Sequence, residues 1–255
     1  MNFTTFGMEK DLKYKEVIFD NNPIFYKYYE IYNPEKKDIL AFPDGCVDIQ
    51  LGMINGAVSI HFVGSYSEGG LASSSKFDKC FGVKLNPGRC PKVLQGKMDR
   101  LMKEMRINVL ELLDVDIREA TQIMGENVKT RERIAFFEKI FNKNVIAEKH
   151  DISTYIIDTL TINNGNVNIA EIIENLGYSH RYSDKVFKNE VGFSIKKYAG
   201  IYRLQEAINM LTNKDGDTYY DLGYYDQSHF IHDFKKFTSF TPNKFTKIIS
   251  EVNFI

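Results

Sequence analysis

The chain has 255 residues, 43% of them apolar, and a formal net charge of −1. That length and composition exclude a disordered or fibrous chain, and the near-zero charge points neither toward nor away from a polyanionic partner. No run of eighteen apolar residues occurs, and "MNFTTFGMEKDLKYK" lacks the apolar stretch of a signal peptide, so the sequence predicts a cytoplasmic protein with no membrane span.

From Asp38 to about Gly88 the pattern is that of strands. In "CVDIQLGM" Val47, Ile49, Leu51 and Met53 alternate with Cys46, Asp48, Gln50 and Gly52, which predicts a half-buried strand. Asn55-Gly56 then separates it from the alternating run "AVSIHFV", the signature of a hairpin closed by a type I′ turn. Pro43-Asp44-Gly45 marks another turn, and "CFGVKLNPG" reads as a strand stopped by Pro87-Gly88. Within this frame Asp44, Cys46, Asp48, His61 and Lys84, with Arg89, are candidates to line a ligand cavity at the mouth of a small barrel. The competing reading makes them turn and surface residues. Cys46, Cys80 and Cys90 are an odd count in a large chain, so reduced thiols are expected, and nothing in the sequence brings Cys80 to Cys90 as a redox pair. Met98, Leu101, Met102 and Met105 read as core rather than as a cofactor box.

After Met98 the pattern becomes helical. "KTRERIAFFEKIFNKN" spaces Ile134, Phe137, Ile140 and Phe141 for one helix face, and helices from Val109 to Lys149 join the two halves. The helices that follow are broken at "NNGN", "GYS", "NKDGD", "GYYD" and "SFTP".

This last region contains a repeat of about 46 residues. "NLGYSHRYSDKVFKNEVGFSIKKYAGI" and "DLGYYDQSHFIHDFKKFTSFTPNKFTKI" align Leu176-Gly177-Tyr178 with Leu222-Gly223-Tyr224, Phe187-Lys188 with Phe234-Lys235, Ser194 with Thr241 and Tyr198 with Phe245. Each unit is a short helix, a turn with a glycine at positive φ, and a second amphipathic helix, the helix-turn-helix layout. Ser179 and Asp226 fit as N-caps of the second helices. Tyr198, Ile201, Tyr202, Leu204, Ile208 and Leu211 support one long helix between the units, roughly 27 Å for about 18 residues. With the flanking turns, that spacer sets the second helices close to the roughly 34 Å between successive major-groove faces on one side of a duplex.

The C-terminal hundred residues resemble the double helix-turn-helix domain of the AraC family of transcription regulators, whose C-terminal signature is similar to "GYYDQSHFIHDFKKFTSFTPNKF". "YRLQEAINML" resembles that family's linker helix, and "FPDGCVDIQL" and "FGVKLNPG" look like the N-terminal domain of an AraC-like subgroup with no assigned ligand. The resemblance implies an α+β protein. Residues 1–110 form a β-rich, small-barrel or cupin-like sensing or oligomerisation domain, 111–150 a helical connector, and 151–255 an all-α DNA-binding domain with two helix-turn-helix units joined by a long helix. It implies base contacts from His180, Arg181, Asp184 and Lys185 in the first unit and from Gln227, Ser228, Ile231 and His232 in the second. Ser179, Lys188, Lys196, Lys197, Lys235, Lys236 and Lys244 would meet phosphates. Tyr182, Val186 and Phe187 should point inward, and Phe230, Phe234 and Phe237 form a buried stripe.

Two features stand against this reading. Residues 151–255 carry 11 Lys and Arg against 13 Asp and Glu, a formal −2, unusual for a DNA binder unless the acids face away from the duplex. Ile173 and Tyr219 stand four residues before the turn glycines, where the family keeps a small residue, and Ser239 replaces a common glycine, so the second unit's long helix is expected to end differently from the one at Gly192. The expected partners are double-stranded DNA, RNA polymerase, a small-molecule effector and a second copy of the chain, with activation as the output the family implies. No metal cluster, nucleophile motif or phosphate-binding glycine loop occurs, so neither catalysis nor a cofactor or metal is predicted. An enzyme or ligand-binding protein acting through the β-rich part, and an interaction protein that has lost DNA binding, stay open as alternatives.

Overall fold

A computed structural model describes residues 6–9, 12–213, 222–249 and 252–254. The strands are β1 (Phe6–Glu9), β2 (Lys13–Ile18), β3 (Phe25–Tyr32), β4 (Ile39–Ala41), β5 (Asp48–Ile54), β6 (Ala57–Val63), β7 (Gly70–Leu71), β8 (Lys79–Leu85), β9 (Arg106–Asn108) and β10 (Val252–Phe254). The helices are α1 (Met98–Glu104), α2 (Ile117–Ile123), α3 (Thr130–Ile140), α4 (Asp151–Ile162), α5 (Ile169–Leu176), α6 (His180–Val191), α7 (Ile195–Asn213), α8 (Gln227–Thr238) and α9 (Pro242–Ile249). Two antiparallel sheets build the N-terminal part, six strands in the order β2-β3-β8-β5-β6-β9 and four in the order β10-β1-β4-β7.

Register decides which residues meet. Asn55 (φ 50°) and Gly56 (φ 80°) close the β5–β6 hairpin with Ile54 opposite Ala57, as a type I′ turn requires. Asp48 then lies opposite Lys84 on β8 and Val63 on β6, while Gln50 lies opposite Gly82 and His61. Lys27 on β3 pairs with Lys84, and Tyr29 with Gly82. Because side chains alternate, this polar row shares one face of the six-stranded sheet, and Ile49, Leu51, Phe81 and Val83 take the other. The apolar face packs against Met98 and Leu101 of α1, Ala120 of α2, and Phe136, Phe137 and Phe141 in and beside α3. Burying each such large side chain stabilises by about 1.5–3 kcal/mol.

The polar face is covered as well. Ile39, Ala41 and Ala72 from the small-sheet side join Tyr29, Ile31 and Cys80 in a second cluster. The β5 strand is therefore buried on both faces, with Asp48 at 5% and Gln50 at 1% exposure, not half-buried as its alternation suggested. Period-two patterning reports the polarity of a face, and a polar face can still be roofed by another sheet.

The helical part has its own core, in which α7 is central. Tyr198, Ile201, Tyr202, Leu204 and Ile208 are all buried, joined by Ile156, Ile173, Phe187, Phe234 and Phe245. This core does not stop at the domain boundary. Phe42 and Cys46 belong to it, Phe42 meets Phe245 edge-on at 5.6 Å, the Tyr198 ring lies across Gly45, and Gln205 Nε2 donates to Pro43 O at 2.6 Å. The segment 42–46 is thus a joint between the sheets and the long helix, and β10, beyond α9, pairs with β1 of the small sheet.

Candidate nucleic-acid interface

In the first two-helix unit, α5 ends at Gly177 with φ +70°, a left-handed position that frees the chain to turn within two residues. Ser179 Oγ then accepts the Tyr182 N–H at 3.3 Å and starts α6, which ends at Gly192 (φ +85°). In the second unit the turn passes through Gly223 (φ +76°), Asp226 Oδ1 accepts the His229 N–H at 2.7 Å, and α8 begins at Gln227. The first helix of this unit, with Tyr219, falls outside the described residues. Ile173, the bulky residue in the first unit, is absorbed into the core at 7% exposure.

Ser239 does not change how α8 ends. It takes the left-handed conformation (φ +66°) that Gly192 takes in the first unit, and both cap N–H groups reach four residues back, to Lys235 O and Lys188 O. For a serine that conformation costs about 1–2 kcal/mol, which the surrounding packing must offset.

His180, Arg181, Lys185 and Lys188 are exposed on α6, as are Gln227, Ser228, Ile231, His232, Lys235 and Lys236 on α8. Lys196 and Lys244 are exposed near the starts of α7 and α9, Ser179 is exposed beside its cap bond, and Lys197 is half-buried. Phe230, Phe234 and Phe237 form the inward stripe, each 5% exposed or less. Tyr182 departs from the expected pattern: it is 46% exposed and packs on Tyr178 with ring centroids 5.3 Å apart, while Phe187 alone of its trio is fully inward. Asp184 is half-buried, and its Oδ1 accepts the Ile195 N–H at 2.9 Å. That bond fixes the carboxylate at the start of α7, a duty that helical spacing along α6 cannot reveal because the partner lies in the next helix.

Four acids of this region are held in internal contacts. Asp184 holds the start of α7, Asp226 caps α8, Glu190 accepts from His150 N–H at 3.1 Å, and Asp233 sits 3.7 Å from Arg203. Exposed cations line α6 and α8 although the formal charge of residues 151–255 is −2.

A family model described as a helix-turn-helix domain matches residues 172–248, the span that runs from within α5 to within α9. This region is an AraC-type helix-turn-helix domain. No curated protein matches the chain. Among solved structures it is similar to ToxT from Vibrio cholerae O395, at 15% identity and a TM-score of 0.44 over 98% of each chain. The P21 form of Vibrio cholerae ToxT gives 14% and 0.42 over 96% of this chain and 98% of that one. ToxT bound to (E)-4-(8-methylnaphthalen-1-yl)but-3-enoic acid gives 14% and 0.42 over 96% and 99%. At these scores the likeness assigns no residue and no ligand to this chain.

Outside the helix-turn-helix domain, Asp44, Asp48 and Lys84 come together, buried and not on the surface, and Cys46 lies next to Asp44 on the side of the helical core. Lys84 Nζ pairs with Asp44 and lies 2.9 Å from Asp48 Oδ1. Burial pulls the Lys84 ammonium down, but Asp44 and Asp48 more than offset this and hold it above the usual lysine range. Burial raises the Asp48 carboxyl against the pull of Lys84. The row continues through Tyr29, whose hydroxyl donates to Asp48 Oδ2 at 3.2 Å and accepts from Gln50 Nε2 at 2.8 Å. His61 is drawn in through Arg106, which donates to its Nδ1 at 2.8 Å, so the imidazole is neutral there. Burial and then Arg106 push the His61 pKa down to about 4. Lys27, Tyr29, Gln50 and Arg106 were not legible as members. Only the alternation of Gln50 with apolar residues hinted at it, since strand pairing cannot be read from one strand. Arg89 lies apart, donating to Ala147 O at 2.9 Å.

The three thiols are free and buried in separate places, Cys46 in the helical core, Cys80 between the sheets and Cys90 beneath the six-stranded sheet. Burial pushes Cys80 and Cys90 each up to about 12, so both stay protonated and unreactive at neutral pH. Among the described residues no helix is long and apolar enough to cross a membrane.

Proposed function

We propose that this protein is a sequence-specific transcription regulator that sets α6 and α8 into adjacent major grooves on one side of a duplex, under control of its β domain. The observation that carries this reading is the equivalence of the two helices. Each starts at a side-chain cap just past a left-handed glycine, and each turns its phenylalanines inward and its lysines outward. At 19 residues α7 measures about 28 Å, which with its turns matches the spacing of successive grooves. Arg181 and Lys185 are suited to guanine O6 and N7, Gln227 to adenine and Ile231 to a thymine methyl. Lys188 and Lys235, equivalent in the repeat, are suited to phosphate.

Control passes through the joint at 42–46. Asp44 belongs both to the buried ion cluster and to the turn that receives Gln205 and Tyr198 of α7. A ligand that rearranged the cluster would shift the position of α7, and with it the population of the DNA-competent form. Activation is the output we assign, with RNA polymerase as the partner. The test is titration of labelled duplexes at several salt concentrations: an affinity that falls steeply with salt supports the reading, and a flat profile favours a chain that has lost DNA binding.

A further inference from the structure

We propose that the loop joining β6 to β7, residues 64–69, is an internal competitor for DNA, strapping the end of α8 and holding Glu68 where a duplex phosphate would otherwise lie. This rests on the DNA-binding reading above and adds to it a specific means of restraint.

The strap is fixed at both ends. At the α8 end, Gly69 N–H donates to Phe237 O at 2.6 Å, and Ser239 Oγ donates to Gly69 O at 3.3 Å. The approach is close enough that a Cβ on residue 69 would stand 2.7 Å from Thr238 O, so only glycine fits. At the other end, Ser65 Oγ accepts the N–H groups of Asp44 (3.2 Å) and Gly45 (2.8 Å), the turn that carries the buried ion cluster. The strap therefore runs from the cluster to the last turn of a recognition helix.

Between these anchors Glu68 is exposed, in the wall shared by two neighbouring hollows. One opens onto Ser228, His232 and Lys235 of α8, the other onto Lys196 and Lys197 of α7, and Lys236 borders both. Burial lowers the Lys197 pKa, and the nearby Glu68 carboxylate opposes that effect while Lys236 adds to it. Glu68 stands among four lysines, with Asp233 in the wall of the second hollow near Arg203, so its carboxylate has the charge and the place of a phosphate on the outer side of α8. Docking of α8 into a groove requires this loop to withdraw, and rearrangement of the Asp44 turn supplies the pull.

The experiment uses the full chain and fluorescently labelled mixed-sequence duplex DNA longer than two helical turns, titrated over a series of salt concentrations. Glu68→Gln removes the competing charge and Gly69→Ala lifts the strap from Thr238. Both should bind about two- to fivefold more tightly than wild type at low salt. Glu68→Gln should also steepen the dependence of log K on log salt by about one, as a lysine freed for phosphate would, while Glu68→Asp should behave as wild type. If wild type binds with salt dependence but Glu68→Gln and Gly69→Ala bind no more tightly, the strap is overturned and the DNA reading stands. If no form binds with salt dependence, the DNA reading falls and the strap with it.

Discussion

Replacing Lys84 by methionine removes the ammonium that pairs with both Asp44 and Asp48 while keeping most of the side-chain volume. The three residues are 1%, 2% and 5% exposed, so water cannot take over the role of the ammonium. Asp44 keeps the Cys46 N–H and Asp48 keeps the Tyr29 hydroxyl, but neither bond cancels a buried negative charge. Breaking one side of a buried ion pair costs about 3–5 kcal/mol. Against a total stability of about 5–15 kcal/mol that is a large share. The chain has no tryptophan, so urea unfolding followed by circular dichroism at neutral pH is the suitable assay. The midpoint should fall with little change in m, and adding Asp44→Asn and Asp48→Asn should recover part of the loss by removing the uncompensated charges. The pH dependence gives a second check. Because the Lys84 pKa is raised on folding, its contribution is complete below about 10.5, the unfolded value, and is lost as pH climbs above it. Lys84→Met should remove that alkaline loss. A cost below about 1 kcal/mol would mean that Lys84 contributes no more than a solvated surface pair and that the cluster is not a buried ion pair in solution.

Arg181→Ala should cost about 1–3 kcal/mol on the preferred site and relax base preference at one position, and equal weakening on every sequence would make Arg181 a phosphate contact instead. Lys235→Ala should weaken all sequences alike and reduce the salt slope by about one; a changed base preference would contradict that role. Asp184→Ala removes the acceptor for Ile195 N–H, so thermal or urea unfolding should show a loss of about 0.5–2 kcal/mol, while a binding-site selection returns the wild-type base preference. His61 titrates near 6.5 when unfolded and near 4 when folded, so its share of stability is lost as pH falls between those values. After allowing for solvent screening of this partly exposed ring the loss is on the order of 1–2 kcal/mol, and His61→Gln should flatten the stability profile in that window.

The second helices of the repeat were legible because their signals are local. A turn glycine, a capping Ser or Asp two or three residues later, and a phenylalanine stripe all act within a few residues, and α6 and α8 begin where those signals place them. The long spacer was legible for the same reason, its buried residues recurring at helical period over α7. What the sequence hid depends on partners far along the chain. The Asp184 side chain serves a helix eleven residues away, Arg106 closes a row begun at Tyr29, and β10 pairs with the first strand. Ser239 shows the opposite failure, since a local rule for glycine suggested a different helix end and tertiary packing kept the left-handed turn. Of the candidate ligand residues, Asp48 and Lys84 could be suspected from their polarity in strands, but only the β5–β8 register puts them within bonding distance, and Asp44 reaches Lys84 from the turn before β5.

Whether two equivalent helices read successive grooves from one side can be measured by chemical protection of guanine N7 in a bound promoter fragment. Two clusters of protected guanines about 10–10.5 bp apart are expected, one of which weakens selectively in Arg181→Ala. A single cluster, or two clusters half a helical turn apart, would contradict that arrangement.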